Sequence, residues 1–365
     1  MDFIHWLPPD MTVKILMYLE DPSDLVRVSA VSSSWRRFVI ANGLCKQLCL
    51  RMFPETSSFA NVMEVKSMDE LVMHSRNDLM EWNCLESEHR AYSFFAHGVT
   101  SFKRRDCISK AISASSTDNY PEESIDNTLE QHDRIEQRAS YWSSKGESDP
   151  EVPESLTYKL SANLCVITEI HIQPFQAYFQ FGFPIYSAKA VRFRMGYCKS
   201  PVELESGIMD KSYAGKSSDT EKYGWTYLSP TFPMSQENCL QKFELPKPVL
   251  CVGGYLQIEL LGRVQRQEMD GFISYVQVVG RPLSPSFDTE HLDASGKFTL
   301  KYYPEYCMIP LRSPGEESST PSRLRSFTTR LMQRGVRGWE QMILNTLLGT
   351  GTVLGEDESD DELVA

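Results

Sequence analysis

The sequence predicts an α+β multidomain chain, with a small helical unit first, a helical connecting stretch after it, and then an antiparallel β domain. Three observations carry that prediction. The chain has 365 residues, 41% of them hydrophobic, which exceeds what one typical core uses and points to two domains. Within the first 45 residues, apolar residues recur at helical spacing between capping residues. Beyond about residue 150, short runs rich in β-branched and aromatic residues alternate with turn residues and have no helical pattern between them.

The elements follow in chain order. In LPPDMTVKILMYLE (7–20), a proline pair with Asp10 behind it suits a helix start, because proline fits the first turn and a carboxylate there meets the positive end of the helix dipole. Met11, Ile15 and Leu19, with Leu16 alongside, form one apolar stripe. Asp21-Pro22-Ser23-Asp24 ends this helix and starts a second, with Asp21 as its cap and Leu25 and Val28 on its apolar face. Ser32 caps a third helix bearing Trp35, Phe38 and Val39, which Asn42-Gly43 ends. Three short helices bury little surface by themselves, so a unit of this size calls for a partner or a neighbouring domain.

The succession LPPD, then Ile15-Leu16, Leu19, Asp24-Leu25 and VSAVSSSW (28–35) resembles an F-box over about residues 3–45. An F-box docks a substrate receptor on the Skp-type adaptor of a cullin-RING ubiquitin ligase. The resemblance implies adaptor contacts for Leu7, Pro8, Ile15, Leu16, Leu19, Leu25, Val28, Val31 and Trp35, with the rest of the apolar stripe turned inward.

Residues 46–124 are expected to form a helical linker and a polar loop, with LCKQLCLRMFP and MDELVMHSRNDLMEWNCL as helical stretches and SASSTDNYPEESIDNTLEQ (113–131) as an exposed linker. The predicted strands are SLTYKL, LCVITEIHIQPF, AYFQFG, AKAVRFRMGY, CLQKFELP, GGYLQIELLGRV and FISYVQVVGRPL. In YLQIELLG, Leu256, Ile258 and Leu260 alternate with Gln257 and Glu259, as a half-buried antiparallel strand requires. The domain is expected over 125–285 as a sandwich or jelly roll. RASYWSSKG (138–146), in which Trp142, Ser144 and Gly146 stand at a W-x-S-x-G spacing, is similar to the early motif of discoidin-like, galactose-binding-like jelly rolls, including the DOC domain of the anaphase-promoting complex. A C-terminal extension (286–348) with an arginine-rich amphipathic helix and a disordered acidic tail (349–365) complete the expected organisation.

Chemistry-bearing motifs are sparse. Nine scattered cysteines without C-x-x-C pairs suggest reduced thiols rather than disulfides or zinc, and the opening residues lack a basic start with an apolar run. No stretch reaches spanning length, so a cytoplasmic or nuclear protein is expected. The net charge of -12 argues against a nucleic-acid footprint. AGKSS (214–218) lacks the glycine a phosphate loop needs, where Asp210 stands instead, and neither G-x-S-x-G nor H-E-x-x-H occurs. No catalytic residue, metal ligand or cofactor is therefore assigned.

The resulting expectation is a non-catalytic receptor subunit: the F-box joins a Skp-type adaptor and cullin, and the jelly roll binds a protein substrate. Candidate target contacts at its loop end are Tyr141, Trp142, Ser144 and Lys145, with Arg263, Arg266 and Asp270 able to receive a charged or hydroxylated group. For Trp142 and its neighbours, packing in the barrel is the plainer expectation. The alternative is a glycan- or small-ligand-binding jelly roll acting outside a ligase, which an aromatic, hydroxyl-lined pocket would favour.

Overall fold

The computed structural model of the protein describes residues 3–65, 77–101, 103–131, 134–135, 138–145, 152–199, 222–263, 272–292 and 296–307. They fall into two units, one drawn from residues up to 49 and from 77–97, the other from 50–65 and 98–307. The expected arginine-rich helix and acidic tail lie outside the described residues.

The helices are α1 (Phe3–Trp6), α2 (Pro9–Leu16), α3 (Pro22–Ala30), α4 (Ser33–Ala41), α5 (Leu44–Met52) and α6 (Asn77–Thr100). Local chemistry sets the ends of α3 and α4 as the sequence suggests, whereas α6 runs on to Thr100, well past the expected helical stretch that ends at Leu85. The Asp21 carboxylate accepts from the Ser23 backbone N–H at 2.8 Å and from its hydroxyl at 2.6 Å, and the Ser32 hydroxyl accepts from the Trp35 N–H at 3.3 Å. Gly43, at φ +57°, stops α4, so LCKQLCLRM forms a separate helix rather than a continuation. Leu16, Leu25, Val26, Val39, Ile40, Leu44, Leu48, Tyr92 and Phe95 are among the buried apolar residues of this helical unit.

The second unit is a β-sandwich of jelly-roll type. One sheet runs β11 (Tyr223–Leu228), β10 (Ala188–Cys198), β14 (Tyr255–Arg263), β7 (Glu154–Leu160), β3 (Ile108–Ala114), with β12 (Phe232–Pro233) on β10. The other runs β13 (Gln241–Val252), β8 (Leu164–Gln176), β15 (Phe272–Pro282), β2 (Arg105–Asp106), with β6 (Trp142–Ser143) on β15 and β9 (Ile185–Tyr186) on β8. Every pairing within them is antiparallel. A short ribbon joins β4 (Arg134–Ile135) to β5 (Arg138–Ala139). In a third sheet, β1 (Phe59–Glu64) lies parallel to β17 (Phe298–Tyr302), which pairs antiparallel with β16 (Phe287–His291).

The period-2 alternation of the strands builds the core. Phe193 stands opposite Ile258 across β10 and β14, Ile172 opposite Val276 across β8 and β15, and these side chains share one cluster with Leu156, Tyr158, Ile170 and Trp142. Gly253 and Gly254, at φ +99° and +73°, turn the chain from β13 into β14, and thus from one sheet to the other.

Two expectations change. Strand β1 stands within 46–124, the stretch expected to be helix and loop, and so do β2 and β3, which pair into the two large sheets. Both β2 and β3 lie at sheet edges, and of β3 only Ala111 is buried, so the apolar alternation that announces a strand is missing there. The run AYFQFG, expected as a strand, is instead part of a loop between β8 and β9. Its backbone closes on itself, the Ala177 N–H donating to the Pro184 carbonyl at 2.9 Å, and Gly182 and Phe183 take positive φ values outside the extended region.

Candidate functional site

Helices α2 and α3 divide the F-box-like apolar residues between inside and outside. Leu16 and Leu25 are buried, at 4% and 1% exposure. Leu7, Leu19, Val28 and Trp35 are half-buried, whereas Pro8, Ile15 and Val31 are exposed. Large side chains beyond the expected set join the exposed group: Trp6 is 73% exposed, Met11 48% and Tyr18 86%. The helical unit therefore leaves part of its apolar stripe in solvent, on a frame held by capped helices and a nearly buried Arg36–Glu86 ion pair of 2.5 Å. In that frame, burial first and then the charges of Arg36 and Arg90 lower the His89 pKa to about 3, which keeps the imidazole neutral.

Of the residues singled out in the β domain, Tyr141, Trp142 and Ser144 serve as scaffold. Trp142 is fully buried and its indole N–H donates to the Ser116 carbonyl at 3.1 Å. Tyr141 donates its hydroxyl to Glu123 at 2.7 Å and stacks on Phe175 with ring centroids 4.2 Å apart. Ser144 is buried, and only Lys145 is exposed, its backbone N–H donating to the Ser116 hydroxyl at 3.0 Å. Arg263 ends β14, and Arg266 and Asp270 lie outside the described residues. Among the described residues, no group of three His, Cys, Asp or Glu side chains comes together to hold a metal ion.

What the sequence reading missed is the loop above that scaffold. Phe179, Phe181 and Phe183 are 61%, 106% and 58% exposed, while Phe175 beneath them is 1% exposed. The signal was present as Gly182 and Pro184, turn residues inside and just after the run read as a strand.

The family profile described as F-box-like matches residues 4–51, which span α2, α3, α4 and most of α5. An F-box protein of Arabidopsis thaliana is 51% identical over 308 residues, covering 82% of this chain and 82% of its own length. The chain is an F-box protein. Its β domain is similar to several solved structures at low identity. A family 32 carbohydrate-binding module from a Clostridium perfringens glycoside hydrolase is 12% identical, with a TM-score of 0.32 over 47% of this chain and 90% of that one. Allantoicase from Saccharomyces cerevisiae is 14% identical, with a TM-score of 0.35 over 59% of this chain and 56% of that one. Among the described residues of this F-box protein, no helix is long and apolar enough to cross a membrane.

Proposed function

We propose that this F-box protein is the substrate-recognition subunit of a Skp–cullin–F-box ubiquitin ligase complex. Its helical unit docks on the Skp-type adaptor, and its β domain holds a protein target for ubiquitination and degradation. The observation that carries this reading is the apolar set Trp6, Met11, Ile15, Tyr18 and Val31, left in solvent by a helical unit whose own core is complete without it. A partner surface that covers such side chains gains their burial, and the central ones act as hot spots worth roughly 2 kcal/mol or more each on truncation.

The mechanism is proximity. Holding a target beside a ubiquitin-charged enzyme raises the effective concentration of a target lysine at the thioester, so the receptor contributes binding and orientation and needs no catalytic side chain.

The test is co-purification with a Skp-type adaptor and a cullin. Wild type is expected to be retained, and the Ile15→Asp, Val31→Asp double variant to be lost with its helical content unchanged, since both side chains face solvent in the free chain. A wild type that the adaptor does not retain overturns the reading. Leu16→Ala is the wrong probe, because Leu16 belongs to the core and its loss costs folding rather than docking.

A further inference from the structure

We infer that the loop Ala177–Pro184 is the target-binding element of the β domain, and that it takes a target segment that is uncharged and carries large apolar side chains. The inference rests on the target-binding half of the function proposed above and deepens it. Three phenyl rings within five residues stand in solvent, a concentration of exposed aromatic surface that marks an interaction site.

The loop is built, not slack. The Gln180 N–H donates to the Ala177 carbonyl at 3.1 Å, the Phe183 N–H to the Gln180 carbonyl at 3.1 Å, and the Gln176 side-chain amide to the Phe183 carbonyl at 3.1 Å. Tyr186 donates its hydroxyl to the Gln180 side-chain oxygen. Phe179 rests one side of its ring against Tyr141 and Phe175, with centroids 6.3 Å away, and Phe175, beneath the loop, meets Tyr178 edge-on at 6.1 Å. Phe183 keeps φ at +49°, a left-handed conformation that a bulky side chain resists, and residues held this way gather where a surface is set for a ligand. A rigid loop binds without the ordering penalty of a mobile one.

Its chemistry selects the partner. Residues 177–184 carry no acid or base, and Tyr178, their one phenol, already accepts from the Asn238 side-chain amide at 2.9 Å. The segment 232–241 that supplies Asn238 contains Glu237 and no lysine or arginine. Within residues 177–184 and 232–241 no cationic side chain stands to meet a phosphorylated target or an anionic lipid surface, and the first lysine after them is Lys242. Phe181, 106% exposed, stands clear of the fold, so the complementary shape is an apolar cleft or strip on the partner, and the match is to a neutral apolar peptide stretch.

The test is selection of a phage-displayed random peptide library on the full chain co-purified with its adaptor, followed by fluorescence-polarisation titration of the enriched peptides. Enriched sequences are expected to carry at least two large apolar residues and no net charge. Their affinity is expected to fall at least tenfold in Phe181→Ser and further in the Phe179→Ser, Phe181→Ser, Phe183→Ser variant. Phe181→Ser keeps the test clear of folding, since that ring is fully exposed, and its melting temperature is expected to equal that of wild type. The inference is overturned if no peptide is enriched, if enriched peptides are charged without apolar anchors, or if they bind the triple variant as tightly. It is equally overturned if galactose displaces them, or if the loop phenylalanines drive sedimentation with phosphatidylserine vesicles while peptides leave them indifferent. Adaptor retention of the triple variant is read in parallel. Its loss in wild type as well defeats the ligase reading, while the peptide result still decides the loop.

Discussion

Asp21 shows how much one side chain contributes to the helical unit. Its carboxylate caps α3, and the hydrogen bond from the Ser23 hydroxyl, followed by the smaller effects of the Ser23 N–H and Arg27, lowers its pKa from the ordinary 3.8 despite some desolvation. Asp21→Ala is expected to cost about 1 kcal/mol in urea denaturation. Because the folded pKa is depressed, that contribution is complete above the unfolded value and is lost as pH falls through the folded one, so wild type and variant converge in strong acid. His89 works over a different window. Its folded pKa of about 3 lies below the ordinary 6.5, so the unfolded chain takes up the proton first and stability falls as pH drops from 6.5 toward 3. His89→Gln is expected to flatten that slope of the helical unit, measured by circular dichroism against pH. At Phe183 the sign of a substitution reverses: glycine accepts φ +49° freely, and Phe183→Gly is expected to raise stability by about 1 kcal/mol while weakening target capture.

Elements differ in how plainly their sequences announce them. Helices α2, α3 and α4 were legible because caps, prolines and a four-residue apolar repeat act within one or two turns of chain. Strands β7, β8, β10, β13, β14 and β15 were legible because their alternation faces one continuous core. Strands β2 and β3 were not, since β2 is two exposed residues long and only Ala111 of β3 is buried. The turn at Gly253 is expected to be among the least tolerant positions of the β domain. A Cβ there would meet Tyr197 Cβ at 2.2 Å while φ is +99°, so Gly253→Ala is expected to cost more than about 2 kcal/mol in thermal denaturation.

Over the whole molecule, two units meet two demands. The helical unit keeps its core small and leaves apolar side chains outward, as a docking module must, and the β domain encloses its core between two sheets and is free to vary a loop. The sequence by itself determined the order of these units, the F-box-like pattern, the ends of α3 and α4 and most of the core strands, because each rests on contacts between residues near in the chain or on a simple repeat. Only the tertiary structure decided that Leu16 lies inside and Ile15 outside, that Trp142 and Ser144 are buried scaffold, and that AYFQFG stands out as a loop. The physical reason is that burial is a property of what packs against a residue from far along the chain. A phenylalanine reads the same in the sequence whether a second sheet covers it or water does.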